Sequence, residues 1–276
     1  MKQNPLSTAE VLVGYDAVSQ LYPHVPSLSM WRAWEYAAYR RFRLPEPVLD
    51  VGCGDGKYFR LIWPQVKQVT GLDMNPEVVA AAQQSGVYTE THVAPAHQLP
   101  FSSERFASAF ANCSLEHMDH LSEVLDNIFR SLSPGGIFLS SVVTEKFIEW
   151  ASLPLLMNHM GQPDLSRSLQ LEYEAFHHLM SPFPPKVWIE HLEEAGFEVL
   201  EHIPIMPEVT SRLFLFLDHV WHIKKAGGEV GDQLYPYLTT LSNFPQACRQ
   251  VLHGILQMEH DWSIGSGAVF SARRKK

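Results

Sequence analysis

A glycine-rich turn between a short apolar run and a helical segment constrains the fold of this chain most strongly. The sequence reads DVGCGDG over Asp50 to Gly56, and the preceding run from Val48 to Val51 predicts a short buried strand. Glycines allow the backbone to turn tightly and to approach a ligand without an intervening Cβ. The helix that follows begins with free N–H groups, which suit a carboxylate or another polar group. This order of strand, turn and helix predicts the first βαβ unit of an α/β fold.

An acidic residue at the end of the second predicted strand narrows the kind of ligand. Asp73 closes the strand that begins at Val69, and it lies 21 residues after Gly52. A carboxylate at this position can accept hydrogen bonds from both hydroxyls of a ribose. Lys57 stands where a dinucleotide fingerprint has its third glycine, and the chain has no G-K-[ST] of a P-loop. The pattern therefore favours a ribose-containing ligand without a required pyrophosphate.

Strand and helix patterns alternate along much of the chain and predict a mostly parallel sheet. Because βαβ connections place helices on both faces of such a sheet, the expected architecture is a Rossmann-like α/β fold. Helices are expected over residues 29–43, 121–132 and 186–195, among others. Seven strands are expected, at residues 48–51, 69–72, a short one ending near 94, 107–111, 136–143, 197–205 and 268–272.

Two aromatic-rich helical stretches interrupt this alternation and predict a cap. Residues 145–184 and 207–260 have large apolar side chains and no strand pattern. Open α/β sheets bind ligands at the carboxyl ends of their strands, so we expect the first insertion to cover the ligand there. The sheet domain is expected to comprise residues 45–144, 185–206 and 261–276, after an N-terminal helical segment over residues 1–44.

Composition and charge exclude several classes of function. The 276 residues carry a net charge of −9, which disfavours nucleic acid because phosphate binding requires a basic surface. Cys53, Cys113 and Cys248 are widely spaced, so neither a disulfide framework nor a zinc ribbon is indicated, and a cytoplasmic location is expected. No signal peptide or membrane-spanning run is predicted. Residues 213–223 favour a buried cap helix over a lipid-facing patch, and the oligomeric state is left open.

Four motifs follow one another along the chain: VLDVGCGDG, GLDMNPEVV, LPFSSERFASAFANCSLEHM and LSPGGIFLSS. They resemble the successive motifs of the class I S-adenosylmethionine-dependent methyltransferases, in particular the ubiquinone/menaquinone-biosynthesis-like (methyltransferase type 11) group. The resemblance covers roughly residues 45–145 and resumes at AGFEVLE. It implies a methyltransferase that uses S-adenosyl-L-methionine and releases S-adenosyl-L-homocysteine.

The resemblance implies roles for individual cofactor-binding residues. Asp50 and the loop Gly52-Cys53-Gly54 are expected to line the methionine part, and Asp73 to hold the ribose hydroxyls. Met74 is expected to pack against adenine, and Asn112 to lie beneath the sulfonium. The family often has Gly-Asp-Ala-Glu before Leu-Pro-Phe, whereas this chain has Ala94-Pro95-Ala96-His97. Since Pro95 cannot bind the adenine amino group, that task falls to the backbone around Ala96 or to the His97 side chain.

His117, in the loop after the fourth strand, is the best candidate for a general base. Imidazole titrates near neutrality and can take a proton from a hydroxyl nucleophile. The alternative is a loop residue that only packs or forms hydrogen bonds. A metal at His117 and His120 would need a third ligand that the sequence does not identify, so no metal is expected.

Four further residues are candidates for the substrate pocket. Tyr15 and Tyr22 lie ahead of the cap and can close over the ligand or pack in the core. His177 and Arg212 are polar points within the apolar insertions. A largely apolar lining predicts a lipophilic or aromatic small-molecule acceptor. A non-catalytic S-adenosylmethionine-binding scaffold or assembly factor, and another chemistry of the sulfonium, stay open as alternatives.

Overall fold

The computed structural model describes residues 2–225 and 228–275 and shows one large twisted sheet with helices on both faces. The strands of the large sheet lie in the order β1-β7-β10-β6-β5-β2-β3-β4, and β8 and β9 form a separate hairpin. The strands are β1 Lys2–Gln3, β2 Val48–Val51, β3 Val69–Asp73, β4 Glu90–Val93, β5 Phe106–Asn112, β6 Leu132–Val143, β7 Phe197–Ile205, β8 Lys224–Lys225, β9 Gly228–Glu229 and β10 Gly267–Arg274.

The seven principal strands confirm the predicted Rossmann-like α/β fold. Strand β10 runs antiparallel to both β6 and β7, and the remaining pairs in the large sheet are parallel. The two-residue edge strand β1 was not predicted, because a pair of residues shows no alternation. Strand β6 begins at Leu132 rather than at residue 136, since Leu132 pairs with Phe106 before the register shifts.

The helices lie around the sheet and form most of the structure outside it. Two short 3-10 turns, Ala96–Gln98 and Leu115–His117, follow β4 and β5. The helices are α1 Thr8–Val18, α2 Pro26–Tyr39, α3 Lys57–Ile62, α4 Pro76–Gln84, α5 Leu121–Ser131, α6 Lys146–Glu149, α7 Ser152–His159, α8 Pro163–Phe176, α9 Pro185–Glu194, α10 Glu208–Trp221, α11 Val230–Leu238 and α12 Phe244–Leu256.

Helix α2 begins three residues earlier than predicted and ends at Tyr39. Pro26 occupies its first turn, where a missing N–H costs nothing and the fixed φ suits a helix. The Arg40 backbone N–H bonds to the carbonyl of Tyr36, and the chain then leaves the helix before Pro45. The helix therefore ends about one turn before residue 43, the predicted end.

Two hydrophobic clusters cover the two faces of the sheet. Val48 and Phe110 face one cluster, and Leu49 and Val51 face the other, as the alternation of side chains along a strand requires. Helices α1, α2, α10 and α12 contribute to the first cluster, and α5 and α9 to the second. The N-terminal helices and the second insertion thus share one face of the sheet. None of the described helices has the length and apolarity needed to cross a membrane.

A close approach between α1 and α2 depends on Gly14. A Cβ added at Gly14 would lie 2.2 Å from the carbonyl oxygen of Ala33, whereas one added at Gly254 in α12 would meet nothing within 4 Å. We expect Gly14→Ala to lower the free energy of unfolding by about 1–3 kcal/mol because the helices must separate. Gly254→Ala should raise it by about 0.4–1 kcal/mol. Urea unfolding of both variants measures the difference, and equal effects would contradict this packing.

Candidate active site

The glycine-rich loop after β2 adopts the open conformation that its sequence predicts. Gly52, Gly54 and Gly56 have φ angles of 73°, 55° and 76°, a region that favours glycine. The N–H groups of Gly52 and Cys53 bond to the carbonyl of Leu72, which fixes the loop against β3. A Cβ at Gly54 would meet no atom within 4 Å, so this point of the loop borders open space.

Asp50 is buried beneath this loop and bound by a tyrosine that the sequence analysis missed. The Tyr88 hydroxyl donates to Oδ2 of Asp50 at 2.7 Å and lies 3.0 Å from the carbonyl oxygen of Cys53. Burial raises the pKa of Asp50 to about 7, the Tyr88 hydrogen bond opposes this shift, and the nearby charge of Asp73 adds to it. A cationic ligand group beside this carboxyl would favour its charged form.

Asp73 ends β3 beside the glycine-rich loop. Its Oδ1 accepts from the N–H of Asn75 at 3.0 Å, and its Oδ2 lies 3.4 Å from the N–H of Gly54. Both partners are backbone groups, which leaves lone pairs on the carboxylate for hydroxyl donors. The side chain of Met74 is 74% exposed at the same edge.

The residues predicted near adenine lie beside Asp73 in the sheet. The N–H of Ala94 donates to the carbonyl of Asp73, and the 3-10 turn that contains Ala96 and His97 follows. The carbonyl of His97 accepts from the Asn127 side chain at 2.7 Å. Ala96 is buried. The centroid of the His97 ring lies 5.0 Å from that of His120.

A cavity of about 130 Å³ opens at the glycine-rich loop. Arg32 of α2 contributes the one cationic side chain among the described residues that line it. Asp73, Met74, Ala96 and His97 lie outside this lining. The lining residues are Tyr22, Arg32, Asp50, Gly52, Cys53, Gly54, Asp55, Gly56, Tyr58, Phe59, Phe110 and Asn112.

Arg32 is held in this position by a buried carboxylate. Glu35, which is 0% exposed, accepts from Nη1 of Arg32 at 2.6 Å and from the Ser141 hydroxyl at 2.7 Å. Tyr39, one turn further along α2, donates to Oδ1 of Asn112 at 2.9 Å. Helix α2 is therefore bound through polar groups to the carboxyl ends of β5 and β6. Neither Arg32 nor Glu35 belongs to a local motif, so the sequence analysis did not single them out.

A second, larger cavity of about 370 Å³ lies between α2 and the cap helices. Arg32 belongs to the lining of both cavities, and Cys113 of the second directly follows Asn112 of the first. The two cavities are therefore neighbours at this point. Large apolar side chains form most of the second lining, in particular Val25, Leu28, Trp31, Val143, Phe147, Phe176, Leu179, Phe214 and Trp221.

His117 lines the second cavity from the 3-10 turn after β5. Its side chain is exposed, and its Nδ1 lies 3.4 Å from the carbonyl oxygen of His178. Side-chain ligand atoms of Cys113, Glu116 and His117 lie within 4.8 Å of one another. The Cys113 thiol donates to Glu116 at 3.0 Å, and burial raises the pKa of both groups. This hydrogen bond accounts for the closeness of the two side chains without a metal ion.

The four predicted pocket residues separate into two pairs. Tyr22 lines the first cavity and His177 the second. Tyr15 is buried among the core side chains, and its hydroxyl donates to the carbonyl of Pro245 at 3.2 Å. Arg212 forms an ion pair with Glu208 at 2.7 Å, one turn earlier on α10. Tyr15 and Arg212 line neither cavity, because each side chain is held by another partner.

The sheet topology, the glycine-rich loop and the acidic ends of β2 and β3 define a nucleoside-binding α/β domain of the methyltransferase class. A methyltransferase domain family matches residues 26–202, and the chain belongs to this family. Its cofactor is S-adenosylmethionine, as predicted.

Curated relatives agree with this family. The chain is 31% identical to malonyl-[acyl-carrier protein] O-methyltransferase of Erwinia billingiae and 28% identical to demethylmenaquinone methyltransferase of Symbiobacterium thermophilum. These matches cover 47% and 50% of this chain but only 52% and 58% of those proteins. An O-methyltransferase of Aspergillus sclerotiorum is 31% identical over 72% of this chain and 71% of its own length. The predicted resemblance to the ubiquinone/menaquinone-type group is confirmed.

A solved structure supports the fold across most of the chain. It is a phosphoethanolamine N-methyltransferase of Haemonchus contortus in complex with phosphomonomethylethanolamine and S-adenosylhomocysteine. The TM-score is 0.54 at 16% identity, over 96% of this chain and 58% of that one. At this identity the likeness concerns the fold alone.

The carboxylate of Asp73 can be tested by removing it. Asp73→Ala deletes an acceptor for two charge-assisted hydrogen bonds, each worth about 1.5–3 kcal/mol. We expect the affinity for S-adenosylhomocysteine, measured by calorimetry, to fall by on the order of a hundredfold or more. Glu77→Gln, on the exposed first turn of α4, is the matched control and should bind normally. Unchanged affinity of a folded Asp73→Ala protein would refute the assignment to ribose.

Proposed function

We propose that this chain transfers the methyl group of S-adenosylmethionine to a small, largely apolar acceptor bound beneath the cap. The observation that carries the proposal is the adjacency of the two cavities at Arg32. One cavity has the glycine-rich loop and the acidic groups that suit the cofactor, and the other has the apolar walls that suit an acceptor.

Residues of the first cavity would hold the methionine part of the cofactor. The Asp50 carboxylate suits its ammonium group, and the Gly52-Cys53-Gly54 loop permits close backbone approach. The Arg32 guanidinium suits its carboxylate, since it is the one cation in the described lining. Asn112 lines this cavity and directly precedes Cys113, which lines the second cavity.

Residues at the edge of the sheet would hold the adenosine part. The proposal assigns Asp73 to the ribose hydroxyls, and Met74, Ala96 and His97 to the adenine. The exposed Met74 side chain offers an apolar surface for a flat base. The backbone around Ala96 replaces the family's acidic residue, because the Pro95 side chain has no oxygen to accept a hydrogen bond from the adenine amino group.

Catalysis in this site consists mainly of alignment and exclusion of water. S-adenosylmethionine supplies a methyl group on an activated sulfonium, so the chain need not generate a leaving group. Trp31, Phe147 and Phe214 enclose the second cavity, and holding the acceptor there lowers the entropic barrier to attack. His117 stands in the same wall as a polar contact for the acceptor.

The lining of the second cavity favours an aromatic or lipophilic acceptor. Aromatic side chains of this lining, such as Trp31 and Phe147, offer ring faces and edges against which a flat acceptor can pack, which supports this choice. Demethylmenaquinone methyltransferase of Symbiobacterium thermophilum is named for a quinone, a substrate class that fits such walls. A volume of about 370 Å³ accommodates a small molecule.

The test is methyl transfer by the full chain to a panel of hydroquinones, phenols, amines and carboxylic acids, with product mass as the readout. We expect methylated products from the aromatic members. Leu179→Phe, which narrows the second cavity, should raise KM for bulky acceptors without changing S-adenosylhomocysteine affinity. Leu171→Phe, on the exposed face of α8, is the matched control.

Two outcomes would contradict the proposal. S-adenosylhomocysteine binding without methylation of any acceptor would favour a non-catalytic scaffold. Methylation of small charged metabolites alone, unaffected by Leu179→Phe, would exclude the apolar cavity as the acceptor site.

A further inference from the structure

A buried carboxylate in the cap binds a histidine that lines the second cavity. Asp218 of α10 is 7% exposed, and its Oδ2 accepts from Nε2 of His177 at 3.0 Å and from the Tyr173 hydroxyl at 2.8 Å. Asp218 and His177 both line the cavity beneath the cap. The contact joins the end of the first insertion to the first helix of the second insertion.

The surroundings of Asp218 favour its charged form. Burial raises the pKa of the carboxyl, but its hydrogen bonds with His177 and with the Tyr173 hydroxyl, together with the nearby His222, hold the pKa below its ordinary value. An ionised carboxylate can only accept hydrogen bonds. Nε2 of His177 must therefore carry the proton in this contact.

This arrangement leaves the other ring nitrogen of His177 as an acceptor. With its proton on Nε2, a neutral imidazole has a free lone pair on Nδ1. No hydrogen bond to this Nδ1 occurs among the residues that the structure describes. The ring is held in place by Phe147, Tyr173 and Phe176, with ring centroids 5.3, 4.5 and 5.0 Å away. A positioned base of this kind is the form that proton abstraction requires.

The groups around His177 come from both insertions, and α2 and the 3-10 turn after β5 contribute to the same cavity. Tyr173 lies on its own helix, and Asp218, His219 and His222 face it from α10 and the residue after it. The lining of the same cavity also includes Arg32 and His117. Among these groups, Asp218 is the one carboxylate that touches the His177 ring.

We propose that His177, positioned by Asp218, is the general base for a hydroxyl acceptor, so that the chain methylates oxygen. This inference rests on the proposed function and names the chemical class of its acceptor as phenols, enols or related hydroxyl compounds. Neutral amines attack through a free lone pair and need no base before the methyl group moves. An oriented carboxylate–imidazole pair suits a nucleophile that begins with an O–H proton, because the pair can accept that proton as the methyl group moves.

The step balances in atoms and charge. The acceptor oxygen forms a bond to the methyl carbon while its proton moves to Nδ1 of His177. The carbon–sulfur bond breaks, and its electron pair stays on sulfur, which becomes a neutral thioether. The positive charge passes from sulfonium to the His177 imidazolium, which Asp218 stabilises until the proton leaves to solvent.

His117, the base expected from the sequence, is less suited to this task. It is exposed, and the one hydrogen bond of its side chain among the described residues is to a backbone carbonyl at 3.4 Å. A carbonyl at that distance orients a ring weakly and stabilises an imidazolium less than a carboxylate does. His117→Gln therefore serves as the comparison for His177→Gln.

The first measurement is the tautomer of His177 in the full chain without cofactor, read from nitrogen chemical shifts of labelled histidine at neutral pH. We expect the proton on Nε2. Asp218→Asn should abolish this preference, whereas Tyr173→Phe, which leaves the His177 contact intact, should preserve it. A proton on Nδ1, or a mixture that Asp218→Asn does not change, would overturn the positioning role of Asp218.

The second measurement is kcat/KM with phenol and with the more acidic 4-nitrophenol. We expect His177→Gln to lower the value for phenol by about 10²–10⁴, and to lower it less for 4-nitrophenol, which ionises without help. Affinity for S-adenosylhomocysteine should not change. His159→Gln, on the exposed end of α7, is the control variant.

The outcomes separate this inference from the proposed function. Three results would overturn the base assignment while methyl transfer stands. They are equal losses of kcat/KM for both phenols in His177→Gln, a larger loss in His117→Gln, and methylation of amines alone. If the wild-type chain binds S-adenosylhomocysteine but methylates no member of the panel, the proposed function fails and the base assignment fails with it.

Discussion

The ion pair between the half-buried Arg32 and the buried Glu35 determines how the N-terminal helices meet the sheet. Glu35 has no exposed surface and is bound by Arg32 and by Ser141 of β6. Removing one partner of such a pair costs about 3–5 kcal/mol, because the other charge stays buried and unpaired. The pair therefore fixes α2, and with it the guanidinium that lies between the two cavities.

The sheet and the cap, which meet at α2, contribute different groups to the two cavities. The carboxyl ends of β2 and β3 supply Asp50 and Asp73, as open α/β sheets generally supply their ligand-binding groups. The cap supplies apolar walls and the pair of His177 and Asp218. Arg32 lines both cavities, so in the proposed function cofactor recognition and acceptor binding share one side chain. We infer that the junction at Arg32 is where the reacting groups meet.

The sheet and the glycine-rich loop could be predicted from the sequence because each of their patterns lies within a few neighbouring residues. The glycines of Gly52 to Gly56 and the acid at Asp73 follow strands directly, so spacing alone places them at one edge. Tyr88, Arg32 and Asp218 were not predicted as site residues, because each reaches its site through packing of distant segments. The structure identifies Tyr88 because its ring packs directly against the glycine-rich loop. A Cβ at Gly56 would lie 2.5 Å from this ring. Arg212 and Tyr15 are polar residues beside apolar runs, but neither lines a cavity. Arg212 pairs with Glu208, and the Tyr15 hydroxyl donates to the carbonyl of Pro245.

The most direct test of the account is a crystal structure of the chain with bound S-adenosylhomocysteine. The account predicts that the adenosine lies at Asp73, that the amino acid part reaches Asp50 and Arg32, and that the sulfur faces the second cavity beside Cys113. Electron density for the ligand with its sulfur directed to open solvent, away from the cavity beneath the cap, would contradict the claim that the two cavities form one active site.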